Sequence, residues 1–138
     1  MKIKTDFVTN SSSTSFIIMT KDDWNKDDFI SLMGVEKDSD FYEMMNGLYH
    51  TLSDAMEDIE VAIASEYWRD AYKTIEEFIT KEYSKEVYEK YLLAKKENKK
   101  IYVGRLSSDD EAFAAYICVD YFEEEDEKIY FNYTNCYW

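Results

Sequence analysis

Proline is absent from the 138 residues of this chain, and glycine occurs only at Gly34, Gly47 and Gly104. A chain so poor in both has few enforced turns and no Gly-rich linker, which argues against two flexibly joined domains. No run approaches the roughly 18 consecutive apolar residues of a membrane-spanning helix. Met1 to Asn10 carries two lysines but no apolar stretch after them, so no secretory leader is expected. Histidine occurs once, at His50, and cysteine twice, at Cys118 and Cys136. A Ser-His-Asp or Cys-His arrangement needs a nucleophile placed against the histidine. Nothing near His50 marks one, so it reads as a structural or surface residue. Three such residues far apart do not make a zinc site. Both cysteines lie in apolar or aromatic runs and read as reduced thiols. A disulfide between them is possible if their strands pair, though an intracellular compartment disfavours it. Neither glycine-rich phosphate-binding motif occurs. The expectation is a chain with no catalytic site, no cofactor and no structural metal.

What the chain has in abundance is negative charge and aromatic rings. Thirty acids against sixteen bases give a net charge of −14, and Tyr, Phe and Trp number 13, 8 and 3. Apolar residues make up 46%, so this is not a disordered acidic tail. The charge is uneven. Residues 69–105 hold 10 bases and 7 acids, a net of +3, which leaves −17 on the rest. A field of that sign repels phosphate backbones and membrane surfaces and attracts basic proteins. No direct binding to nucleic acid or membrane is expected. The one basic cluster, Lys95, Lys96, Lys99 and Lys100, reads as a solvated helix end.

Periodicity gives the fold. Phe16-Ile17-Ile18-Met19 is unbroken, β-favouring and short, hence a buried strand. A short helix follows, capped by Asp27 or Asp28, carrying Phe29, Leu32 and Met33 and ended by Gly34. Asp40 and Glu43 have capping-box spacing for a second helix, with a pause at Asn46-Gly47. A further helix is expected over Leu52, Ala55, Met56, Ile59 and Ile63. Ala71, Ile75, Phe78 and Ile79 repeat the helical spacing, and Ser84 caps a helix with Val87, Tyr88, Tyr91 and Leu92. The period then changes to strands: Ile101 to Val103, Phe113 to Val119, and Ile129 to Tyr137. A turn lies over Ser107 to Asp110, and Glu123 to Glu127 forms a charged connection. The expected architecture is a single α+β domain over 1–138. Its mostly antiparallel sheet has about four strands, one N-terminal and three C-terminal, with several helices on one face.

Acid groups at Asp22/Asp27/Asp28 and Asp38/Asp40/Glu43 lack the bend glycine of a calcium loop and read as helix-capping acids. Carboxylate pairs of the glycosidase kind are a weak signal in so acidic a chain, since any acidic protein contains such pairs. The polar stretch Asn10 to Ser15 has hydroxyls for a phosphate but no glycine or placed lysine, and reads as a solvated polar loop or as a lead-in to the strand.

The segment Asp6-Phe7-Val8-Thr9-Asn10-Ser11-Ser12-Ser13-Thr14-Ser15-Phe16-Ile17-Ile18 resembles an N-terminal signature of small bacterial and phage proteins. In that signature a Phe-Val-x-Asn segment leads into a serine run and an apolar strand. Thr14 interrupts the serine run here. The resemblance spans about 18 of the 138 residues and implies provenance in bacteria or their mobile elements. It brings no activity and no site residues with it.

Charge, aromatic content, size and the lack of catalytic motifs favour an acidic inhibitor that blocks a basic, nucleic-acid-handling bacterial protein, in the manner of phage counter-defence and anti-CRISPR proteins. An immunity protein against a nuclease toxin needs the same physics. A small enzyme or ligand-binding domain with an unfamiliar site is the alternative of a different class, and a scaffold subunit whose acidity keeps it soluble is another. In the favoured reading the protein works in the bacterial cytoplasm. Glu123, Glu124, Glu125, Asp126 and Glu127 steer the partner, and Tyr137 and Trp138 anchor it. The same acids also read as a solvated loop that blunts a sheet edge, and the two terminal aromatics as core.

Overall fold

The computed structural model describes residues 13–65, 71–107 and 123–137, with side chains over 15–65, 71–106 and 123–133. The fold is α+β, and its centre is the strand expected at Phe16 to Met19. That strand, β1 (Ser13–Thr20), pairs antiparallel on one side with β3 (Lys100–Ser107) and on the other with β5 (Ile129–Tyr137). Two short strands lie outside these. β2 (Glu57–Asp58) pairs with β3, and β4 (Glu123–Glu125) pairs with β5. The described sheet is therefore five-stranded and antiparallel, ordered β2-β3-β1-β5-β4. This is one strand more than expected, and the expected strand at Phe113 to Val119 lies outside the described residues.

A strand with apolar residues at every position must be covered twice, because successive side chains leave opposite faces of the sheet. Phe16 and Ile18 enter one core together with Phe29, Leu48, Leu52 and Phe131. Ile17 and Met19 enter a second core with Ile59, Phe78, Ile79, Val87 and Tyr91. The helices divide accordingly and take both faces, where one face was expected. Over the first face lie α1 (Lys26–Leu32) and α2 (Tyr42–Ala55). Over the second lie α3 (Ile59–Ala64), α4 (Ile75–Glu82) and α5 (Lys85–Lys96).

Local chemistry sets the helix ends. Asn25, not Asp27 or Asp28, caps α1 by accepting from the Asp28 amide at 2.9 Å; the two aspartates sit in the first turn. Thr74 and Ser84 cap α4 and α5 through the amides of Glu77 and Val87. The expected Asp40–Glu43 capping box does not form; α2 starts after Phe41 without a side-chain cap. No pause occurs at Asn46-Gly47. An interior glycine costs about 1 kcal/mol, and burial of Met45, Leu48 and Leu52 along the same helix exceeds that cost. The helix expected through Met56 to Ile63 is instead broken. Met56 is extended, Glu57 and Asp58 join the sheet, and Asp58 caps α3 by accepting from the Glu60 amide.

Candidate partner-binding surface

Helix α5 lies on the second face with Val87, Tyr91 and Ala94 buried, a spacing of one residue per helical turn. That spacing turns Leu92 and Leu93 outward, with 49% and 56% of their surface exposed. Leu92, expected on the buried side, is not there. Beside this helix runs the β4–β5 hairpin. Its turn is built by Asp126, whose Oδ1 accepts from the amides of Lys128 and Ile129, both at 2.8 Å.

The five-acid segment is thus not one solvated loop. Glu123, Glu124 and Glu125 form the outermost described strand, and their side chains are exposed. Alternation along the strand separates their roles. Glu123 accepts from the Tyr130 hydroxyl and, at 3.4 Å, from Asn132 Nδ2. Asn132 also donates to the Tyr130 oxygen at 2.9 Å. Glu125 pairs with Lys90 of α5 at 2.8 Å, and the same ammonium lies 5.0 Å from the centre of the Tyr130 ring. Burial, and after it the bond to Glu123, pushes the Tyr130 phenol well above its ordinary pKa. Between α5 and the hairpin is a small cavity of about 60 Å³, bordered by Lys90, Leu93, Lys99, Glu125 and Tyr130. Glu124 leaves the opposite face of the strand, the side of α1. Glu124 and Glu127 have no ion-pair or hydrogen-bond partner among the described side chains. Asp126, Glu123 and Glu125, in contrast, hold the hairpin in place.

Tyr137 ends β5, its backbone opposite Ser13. It lies five residues beyond Asn132, the partner of Glu123, roughly 17 Å along the strand. Its side chain, Trp138, Cys118 and the side chain of Cys136 lie outside the described residues. Sequence reasoning missed Leu93 as an exposed apolar group that borders the same cavity as Glu125; the signal was the Val87/Tyr91/Ala94 spacing, which leaves Leu93 out.

The lysines expected to end α5 are drawn into the protein's own ion pairs. Lys95 reaches Glu60 at 3.1 Å, Lys99 reaches Glu97 at 3.2 Å, and Lys100 pairs with Asp23. These bonds raise the Lys95 and Lys100 pKa values, and the bond from Lys100 lowers that of Asp23. His50 is exposed on α2 with its ring edge-on to Tyr49. Among the described residues, no three or more His, Cys, Asp or Glu side chains converge as a metal site, and no helix is long and apolar enough to cross a membrane.

A second polar group is internal. Glu82, at the end of α4, is 6% exposed. Its carboxylate accepts from the Ser15 hydroxyl at 3.1 Å and from the Tyr72 hydroxyl, with Arg105 Nη2 at 3.8 Å. Ser15 closes the polar stretch singled out in the sequence. It is fully buried, beside an irregularity in the β1–β5 pairing between Ser15 and Ile17. Its hydroxyl is engaged inside the protein and is not part of a solvated loop.

Compared with protein-family models, curated proteins and solved structures, the chain gives no match.

Proposed function

We propose that the protein is an acidic inhibitor that binds and blocks a basic, nucleic-acid-handling bacterial protein, using the outer face of the β4–β5 hairpin and the adjoining end of α5. The observation that carries this reading is the pairing of two features along one edge of the sheet: unneutralised acids at Glu124, on the α1 side, and Glu127 in the hairpin turn, and a half-exposed Leu93 on the α5 side, beside the Lys90–Glu125 bridge. Charge at the rim raises the encounter rate with a basic surface, and a desolvated apolar group slows release. Three of the four lysines in the one basic cluster are occupied by Glu60, Glu97 and Asp23, which supports a protein rather than a phosphate backbone as the target. The bacterial or phage setting rests on the N-terminal signature.

The test is capture from a bacterial lysate over a salt series, followed by a nucleic-acid-binding assay of the captured protein. The partner should be basic, its capture should weaken with salt, and this protein should displace its nucleic acid. Capture that is indifferent to salt, or a partner whose nucleic-acid binding is untouched, overturns the reading. Within the complex, Leu93→Ala should speed dissociation.

A further inference from the structure

The end of α1 is shaped by its glycine. Gly34 has φ +74°, a conformation that side-chain-bearing residues rarely adopt, and the chain reverses there. The Val35 amide donates to the Ile30 carbonyl at 3.3 Å and the Gly34 amide to the Ser31 carbonyl at 3.1 Å. This is the Schellman arrangement, which brings the side chain after the glycine back against the last turn of the helix. Ile30 and Val35 accordingly share the lining of one cleft of about 320 Å³. Its other walls are Asp27 and Ser31, one turn along the same stripe of α1, Glu36 and Lys37 from the reversed chain, and Tyr42 at the start of α2. The volume is at the small end for ligand sites.

The lining divides by chemistry. Ile30, Val35 and Tyr42 offer apolar and aromatic surface, while Asp27 and Glu36 supply carboxylates with no ion-pair partner among the described residues. Lys37 is the one base among residues 36–43, against Glu36, Asp38, Asp40 and Glu43. Phe41, directly before Tyr42, is 61% exposed. An apolar trough with a negative mouth fits a side chain that is apolar along its stem and positive at its tip. Arginine fits better than lysine, because its planar, weakly hydrated guanidinium both stacks on aromatic rings and bonds carboxylates in pairs.

We infer that the cleft between α1 and α2 is a socket for an arginine side chain presented by a protein partner. Asp27 and Glu36 hold the guanidinium, and Ile30, Val35 and Tyr42 cover the stem. The socket is distinct from the hairpin surface, though Asp28, next to Asp27, joins the two by reaching Lys128 of the hairpin turn at 3.4 Å. The inference rests on the inhibitor reading only for the identity of the protein that carries the arginine.

The experiment titrates the isotopically labelled protein with the blocked peptide Ala-Ala-Arg-Ala-Ala and follows backbone amide shifts. The comparison peptide has citrulline in place of arginine, which keeps the shape and removes the charge. Saturable shifts centred on Ile30, Ser31, Val35 and Tyr42 are expected with arginine. They should weaken by about fivefold in Asp27→Asn/Glu36→Gln, and to a similar extent with citrulline. The variant's spectrum away from the cleft should match the parent's, since both replaced groups lie at the surface. Equal shifts with citrulline, shifts unaffected by the double substitution, or shifts only at Glu123 to Glu127 overturn the socket. Whether the hairpin binds a basic protein is decided separately, by the capture experiment.

Discussion

The hydroxyl of Ser15 donates to the carboxylate of Glu82 at 3.1 Å, joining β1 to the end of α4 across 67 residues of sequence. Tyr72 donates to the other carboxylate oxygen, and Arg105 of β3 approaches at 3.8 Å. A buried carboxylate is tolerable only when donors surround it, and each bond to a charged group then contributes more than a neutral one. Replacing Glu82 with Gln keeps the shape and removes the charge. The expected loss is about 2 kcal/mol of folding stability, measured by urea unfolding, against less than roughly 0.5 kcal/mol for Glu89→Gln on the exposed side of α5. Equal effects of the two substitutions would show that the knot does not stabilise the fold.

Gly104 is required for close approach. A Cβ built there would meet the Phe16 ring at 2.5 Å and the Ala55 carbonyl oxygen at 2.7 Å. The ring belongs to the packed core and the oxygen to the backbone at the end of α2, so neither yields cheaply. Gly104→Ala should cost about 1–3 kcal/mol, the usual penalty of overpacking. A denaturation midpoint equal to the parent's would mean that α2 does not press on the sheet at this point.

Tyr130 gives the protein an alkaline dependence. Its phenol is pushed up, first by burial and then by Glu123, so the folded state holds this proton more tightly than the unfolded chain does. The sign follows: this contribution is complete below the unfolded phenol's pKa of about 10 and is lost as pH rises above it. Between roughly pH 9 and 11.5, the parent should lose stability more steeply than Tyr130→Phe. Tyr91, also raised chiefly by burial, supplies part of the slope that remains. Parallel curves for the two proteins would contradict the assignment.

Where one stretch of sequence carried both the local preference and the burial, the fold was legible. Phe16 to Met19 reads as a buried strand, Ser84 reads as a cap, and Ile129 to Tyr137 alternates as a strand should. The unbroken apolar run at Phe16 to Met19 even contained the need for two covered faces, because alternation sends its neighbours to opposite sides. What stayed hidden depends on distant partners. Glu123 to Glu125 are poor strand formers, and they are extended because β5 supplies their backbone partners. Glu57 and Asp58 are extended through β3 in the same way. The bond between Ser15 and Glu82 has no local signal at all. The acids of the proposed surface were visible as a run; which of them are already occupied by Tyr130, Asn132 and Lys90 was not.

The most direct test of the proposed function is the association rate constant with the captured partner as a function of salt, for the parent and for Glu124→Gln/Glu127→Gln. These two side chains have no partner among the described residues, so their replacement leaves the hairpin bonds of Glu123, Glu125 and Asp126 in place. Exposed charges act over about 8–10 Å at moderate ionic strength and influence encounter more than release. The variant should associate more slowly, with a flatter salt dependence and a dissociation rate close to the parent's. Association at the parent's rate throughout the salt series would contradict the account and leave the hairpin's negative charge without a role in binding.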